Sequence, residues 1–290
     1  MTPPTNPSDA SQHQSNFVIE ESGTEMAWLL NSDVIVTAGM GGLFSERGND
    51  LSGIHDILDI ACGPGGWDLE VARAYPDIQV TGVDISEPMI DYARAHAQAR
   101  GLDNAHFRVM NALEPLDFRD ASFDLVNART IVGFMTPDAW PILLQECKRV
   151  LRPGGTIRLS EFDKAITTSP ITGQVWDLLA RALSVAGRTF SPDGRSMGIT
   201  PHLARLLRQA GFQDIQSRAH DIDHAAGTPA FEGWYQNYRI VFQLLSPFII
   251  GVGVTTAEEF ERLYQQMLLE MLAEDFCALE TYLTVWGVKP

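Results

Sequence analysis

The stretch Leu58-Asp59-Ile60-Ala61-Cys62-Gly63-Pro64-Gly65-Gly66 sets three glycines and a proline directly behind a run of aliphatic residues. A buried strand ending in so bare a backbone lets a ligand come close to the main chain, in conformations that residues with a Cβ resist. Outward from this turn, short apolar runs alternate with amphipathic segments. IHDILDIA (54–61) is followed by WDLEVARAYP (67–76), IQVTGVD (78–84) and SEPMIDYARAHAQARG (86–101). AHFRVMNA (105–112), SFDLVNA (122–128), the helical stretch 136–155 and TIRLSEF (156–162) continue the series. Strands alternating with helices at this spacing make βαβ units, hence a mostly parallel sheet with helices on both faces. Ligands of such α/β sandwiches sit beyond the carboxyl ends of the strands, which is where the glycine turn falls.

The 290 residues, 45% of them hydrophobic, suffice for one domain with a substantial core. A formal net charge of -16 disfavours nucleic acid and anionic membranes as partners, because both are bound by Lys and Arg neutralising phosphates. Cys62, Cys147 and Cys277 are too far apart for a CxxC pair and odd in number, so neither a disulfide framework nor a zinc knuckle is expected. Residues 1–16 are polar and proline-bearing and read as a disordered tail, without the basic and apolar regions of a signal peptide. The apolar run from Leu244 to Val254 is shorter than the roughly 20 residues a spanning helix needs, and it contains Pro247. These features predict a cytoplasmic protein, monomeric or homodimeric.

Residues 17–50 predict a helical cap of one helix or a pair, opened by Ser22 and Glu25 at capping-box spacing and stopped at Gly41 and Gly42. Residues 51–162 form the predicted cofactor-binding core. Residues 163–290 add two helices, a strand ending in His-Asp-Ile-Asp-His (220–224), an aromatic-rich insertion over about 228–275 read as helical throughout, and a closing strand from Thr281. Strand alternation sets Asp221 and Asp223 opposite His220 and His224, so no metal site is expected there.

A dinucleotide reading of the turn fails at position 68. The GxGxxG spacing counted from Gly63 needs glycine there, whereas Asp68 would repel a pyrophosphate at a helix entrance. Four motifs in order instead carry a resemblance: Asp59 to Gly66, then VTGVDIS (80–86), FDLVNAR (123–129) and LRPGGTIRLSE (151–161). Together they resemble the seven-strand, class I S-adenosylmethionine-dependent methyltransferases, with Ala61 where that family often has glycine. The resemblance implies a three-layer αβα sandwich on a seven-stranded sheet whose last strand is antiparallel, with the insertion preceding it. It also implies S-adenosyl-L-methionine as cofactor and S-adenosyl-L-homocysteine as product.

On that resemblance the turn residues Ala61, Cys62, Gly63 and Gly65 admit the cofactor, and Asp59 supports the turn or the methionine amine. Asp84 and Ile85 end the second strand, where a carboxylate can accept both ribose hydroxyls. Asn111 and Ala112 are implied at the adenine edge, and Asn127, Ala128 and Arg129 beside the methyl group. Asn127-Ala128-Arg129-Thr130 replaces the Pro-Pro motif that methyltransferases acting on nucleic-acid or glutamine amides often carry, which favours a small-molecule acceptor, as in secondary metabolism. Trp28, Val36 and Met40 of the cap and Trp234, Tyr235 and Tyr238 of the insertion are candidate walls for a largely apolar one. Glu161, His220 and His224 are candidate proton acceptors at strand ends. The same motifs would also suit a cofactor-binding cyclase or isomerase, or a non-catalytic partner subunit. An NAD-dependent dehydrogenase is the weaker alternative.

Overall fold

The computed structural model describes residue 19 and residues 22–290. The predicted tail, residues 1–16, lies outside the described residues. After helix α1 (Gly23–Gly39), whose N-cap Ser22 accepts from the Glu25 amide, a single 3-10 turn at Ser45–Arg47 leads into the sheet. The first half of the sheet is β1 (Asp56–Ile60), β2 (Gln79–Asp84), β3 (Ala105–Val109), β4 (Phe123–Arg129) and β5 (Leu151–Phe162). Helices α2 (Gly66–Ala74), α3 (Glu87–Arg100) and α4 (Ala139–Val150) provide crossovers between them. Ser86 caps α3 by accepting from the Met89 amide, Pro88 sits in its first turn and Gly101 ends it with a left-handed backbone.

The chain then runs through β6 (Ile166–Thr167), α5 (Pro170–Val185), α6 (Leu203–Gln209), β7 (Gln213–Asp223), α7 (Phe231–Gly251), α8 (Ala257–Met271) and β8 (Ala278–Val288). Among the described residues the sheet has eight strands in the order β3-β2-β1-β4-β5-β8, with β7 along the outer side of β8 and two-residue β6 at its start. Only β8 runs against the others. The expected αβα sandwich with an antiparallel last strand is present, and β6 is an addition to the expected seven strands. Ile57, Leu58 and Ile60 of β1 are wholly buried, as a central parallel strand covered on both faces requires. The connection from β3 to β4 crosses back over β2 and β1, so the order reverses between β1 and β4, where a ligand crevice opens.

Two elements differ from the sequence expectation. The stretch LRPGG, read as the end of a helix, opens β5, because the amide of Gly154 donates to the carbonyl of Lys289 and the amide of Lys289 to that of Gly155. The insertion is not helical throughout but breaks between Val252 and Thr256 into two helices, the second capped by Thr256. Pro247 lies inside α7 without ending it. A proline cannot donate to the carbonyl four residues back, and the Ser246 hydroxyl donates to that Gln243 carbonyl instead, at 2.9 Å.

A buried polar chain ties the sheet to the cap. Asn127 of β4 donates to Asp59 of β1 at 2.7 Å and accepts from the Arg158 guanidinium of β5 at 2.7 Å. Arg158 in turn forks onto Glu46 of the 3-10 turn, with both side chains almost fully buried and Phe44 under the guanidinium. Burial would push the Glu46 carboxyl up, but Arg158 outweighs it and holds it below the usual range. Removing one member of such a pair strands the other charge at a cost of about 3–5 kcal/mol. Glu46→Ala is therefore expected to cost that much in urea unfolding, whereas Glu46→Ala with Arg158→Met recovers most of it.

Candidate active site

The backbone of the β1–α2 turn explains its composition. Ala61, Gly63 and Gly65 all take positive φ (55°, 55° and 74°), a conformation costly for residues with a side chain. The glycines serve different ends. A Cβ on Gly63 would meet only Leu29, at 3.6 Å, so that residue leaves a clear face toward α1. A Cβ on Gly65 would stand 2.7 Å from the Phe107 ring, so Gly65 lets β3 pack beneath the turn. Asp84, at the end of β2, splits its carboxylate between the amides of Gly63 and Ser86, both at 2.9 Å.

Beneath the turn the interior is unusually acidic. Asp59 and Asp68 are buried neighbours, and Asp33 of α1 lies beside them against Gly66. Burial raises the Asp59 carboxyl to about 7 despite the hydrogen bond from Asn127. Burial, then the Asp59 charge, raise the Asp68 carboxyl well above its ordinary range. Burial also raises Asp33, against the pull of the Arg129 guanidinium that it accepts from. Two adjacent carboxyls away from water hold a proton rather than two charges. Such a floor is repulsive to phosphate and complementary to a cationic ligand. The same field and burial raise the Cys62 thiol well above its ordinary range, which removes it as a nucleophile.

From the turn a cavity runs under the cap. Ala61, Gly63, Asp84, Arg129 and Thr130 line it near the turn, and Trp28, Val36, Trp234 and Tyr238 are among its other walls. Arg129 is tethered to the cap by Asp33 and by Thr37 Oγ1 at 3.0 Å. Two expected wall residues do not line it: Met40 is buried beneath the end of α1, and Tyr235 stacks on Phe231. Sequence reading missed Asp33, the loop 131–134, Phe162, Trp176 and the pair Glu280 and Tyr282. The signal for that pair was available in ALETYLTVWGV (278–288), where alternation sets Glu280, Tyr282 and Thr284 on one buried face. A strand begun at Thr281 leaves Glu280 out.

The other expected residues fall around the cavity rather than in its wall. Asn127 is wholly buried in the polar chain, and Ala128 is buried beside it. Ile85 is exposed at the mouth of the sheet. Asn111 forms a turn, accepting from the Leu113 amide and donating to Glu114, and Ala112 borders a separate surface depression with Pro141.

None of the three expected proton acceptors reaches the cavity. Glu161 faces the opposite side of β5 from Phe162 and accepts the Ile131 amide; burial raises its carboxyl to about 8. His220 is buried near Glu46, Arg158 and Arg218, and His224 stacks on Trp234 at 4.9 Å. Burial lowers both imidazoles, leaving them neutral. Strand alternation fails here because it gives a face and not a depth. As expected, Asp221 and Asp223 point outward from that strand.

Comparison with known proteins fits this geometry. Residues 57–155 match the family model described as a methyltransferase domain. The chain is 30% identical to demethylmenaquinone methyltransferase of Lactococcus lactis, over 60% of this chain and 72% of that protein. It is 36% identical to 27-O-demethylrifamycin SV methyltransferase of Amycolatopsis mediterranei, over 48% of each. A Haemonchus contortus phosphoethanolamine N-methyltransferase 2, solved with S-adenosylhomocysteine, shares the fold at a TM-score of 0.55 and 19% identity, over 91% of this chain and 57% of that one. The chain belongs to the class I S-adenosylmethionine-dependent methyltransferases, and its cofactor is S-adenosylmethionine. Among the described residues no helix is long and apolar enough to cross a membrane.

The acidic floor gives the fold a pH dependence. Asp59 binds its proton more tightly folded, at about 7, than at its ordinary 3.8. Its contribution is thus most favourable at low pH and is lost as pH rises from about 4 to 7. Asp68 is raised in the same sense, and Asp68→Asn removes that second titration, so the ligand-free variant should lose less thermal stability than the parent between pH 5 and 8. Each kcal/mol relieved corresponds to about 2–4 °C in thermal melts.

Proposed function

We propose that this methyltransferase acts on a small, largely apolar molecule bound in the aromatic part of the cavity. The observation that carries the reading is the continuity of that cavity: the clear face of Gly63 and the carboxylate of Asp84 open into the same space as Trp176, Trp234, Tyr238 and Tyr282. Two relatives are named for demethylmenaquinone and 27-O-demethylrifamycin SV, which are small-molecule acceptors.

Bound S-adenosylmethionine supplies an electrophilic methyl group on a positively charged sulfur, open to in-line displacement by the acceptor. The chain's part is to hold both partners. Asp84 accepts from the ribose hydroxyls, and Gly63 and Ala61 allow close approach of the main chain. Asp59 and Asp68 offset the cofactor's positive charge from below. Arg129, locked by Asp33, keeps α1 closed over the site. The aromatic walls exclude water and fix the acceptor against the methyl group; alignment of this kind is worth effective molarities of about 10⁵ M or more.

Calorimetric titration with S-adenosylhomocysteine tests the cofactor half. Asp84→Ala is expected to weaken binding by about 1.5–3 kcal/mol, the scale of hydrogen bonds to a charged group, and unchanged affinity in a folded variant removes Asp84 from the site. NAD is expected to give no heat. For the acceptor half, Trp176→Ala is expected to leave S-adenosylhomocysteine affinity intact while lowering affinity for naphthalene-sized probes by about tenfold. Equal probe binding in parent and variant would place the acceptor elsewhere.

A further inference from the structure

Glu280 is a carboxyl set among the aromatic residues of the cavity wall. Its strand face carries Glu280 and Tyr282, and it is 1% exposed. Tyr238 of α7 donates to its Oε2 at 3.0 Å, and Tyr238 in turn accepts from Trp176 Nε1 of α5 at 3.2 Å. Tyr282 supplies a second hydrogen bond. Trp176, Tyr238 and Phe242 pack edge to face, and Phe162 stacks on Tyr282 at 5.3 Å. The carboxyl is therefore held in one orientation by two phenols on rigid elements, and it borders the cavity. Burying a carboxyl among rings costs free energy that packing alone would not justify.

The other acids of the cavity wall are committed differently. Asp33 is paired with Arg129, and Asp84 holds the amides of Gly63 and Ser86. Glu25 sits in the first turn of α1, on the cap and away from the aromatic cluster of α5, α7 and β8. We propose that Glu280 is the catalytic base of this enzyme, engaging a hydroxyl group on an apolar acceptor and taking its proton as the oxygen attacks. This rests on the acceptor reading above and narrows it to O-methylation.

The step balances without another reactant. The O–H bond breaks and its proton passes to the Glu280 carboxylate. An oxygen lone pair forms the O–CH₃ bond while the methyl–sulfur bond breaks, its electron pair staying on sulfur. The products are the methyl ether, S-adenosylhomocysteine and a protonated Glu280, which returns its proton to water. Burial holds the Glu280 carboxyl at about 8 against the hydrogen bonds from Tyr238 and Tyr282, which suits a base for a phenolic or enolic hydroxyl near neutral pH. The titratable groups around it are those two phenols, both raised mainly by burial, with Arg129 and Glu161 acting on Tyr282.

The test loads the full chain with S-adenosylhomocysteine and titrates it with 2-naphthol and with 2-methoxynaphthalene at several pH values. In the parent, 2-naphthol should bind about tenfold tighter than the ether, and its affinity should climb between about pH 6 and 8.5 while that of the ether stays flat. Glu280→Gln keeps the shape but cannot take a proton, so it should bind S-adenosylhomocysteine normally and lose the climb. Equal affinity for the two probes in the parent, or a climb that persists in Glu280→Gln, overturns the proposal. So does tighter binding of 2-naphthyltrimethylammonium than of 2-naphthol, which would make the rings and Glu280 a cation cage. Failure of the parent to bind S-adenosylhomocysteine at all would instead strike the cofactor reading.

Discussion

A protein interior can hold only as much negative charge as it can neutralise or protonate, and the ground beneath the glycine turn is organised by that limit. Asp59, Asp68 and Asp33 meet there with Arg129 as the one cation in direct contact among the described residues. Asp59 is further held through Asn127 to Arg158, whose charge is spent on Glu46. The chain thus gives up stability in the ligand-free state to keep an anionic floor. A cationic adenosyl ligand offsets what the protein leaves uncompensated. The same charges connect the site to its cover, because the partner of Arg129 lies on α1 and that of Arg158 on the turn after it.

The cavity has two chemical characters, and each comes from a different layer of the fold. The side proposed for the cofactor is main chain and carboxylate from the ends of β1, β2 and β4. The side proposed for the acceptor is aromatic and comes from β5, α5, α7 and β8, with α1 closing it through Asn237 and Ser32. Polar recognition on one side and dry walls on the other suit a reaction in which a charged donor meets an apolar acceptor.

Much of this was legible in the sequence because it depends on local rules. The alternation of strands and helices from Ile54 to Phe162 follows from hydrophobic periodicity, and the caps at Ser22, Ser86 and Gly101 follow from backbone groups that need partners. The turn at Gly63 and the position of Asp84 were readable for the same reason. What misled was depth and length. Glu161, His220 and His224 sit on the right strands, but packing buries them away from the cavity. Asn111 reads equally as a ligand contact or a turn residue, and here its side chain closes a turn. The long insertion seemed one helical run because a five-residue break leaves little trace in composition.

The sequence by itself determined the parallel sheet, the glycine turn at its switch point and the carboxylate that faces it. Each is encoded within a few residues, in side-chain period, in the absence of a Cβ and in capping chemistry. Only the tertiary structure decided that Asp33, Arg129, Trp176 and Glu280, far apart along the chain, share one cavity wall. No local pattern can carry that information. It depends on which helix faces pack across the strand ends, and therefore on the whole core closing at once.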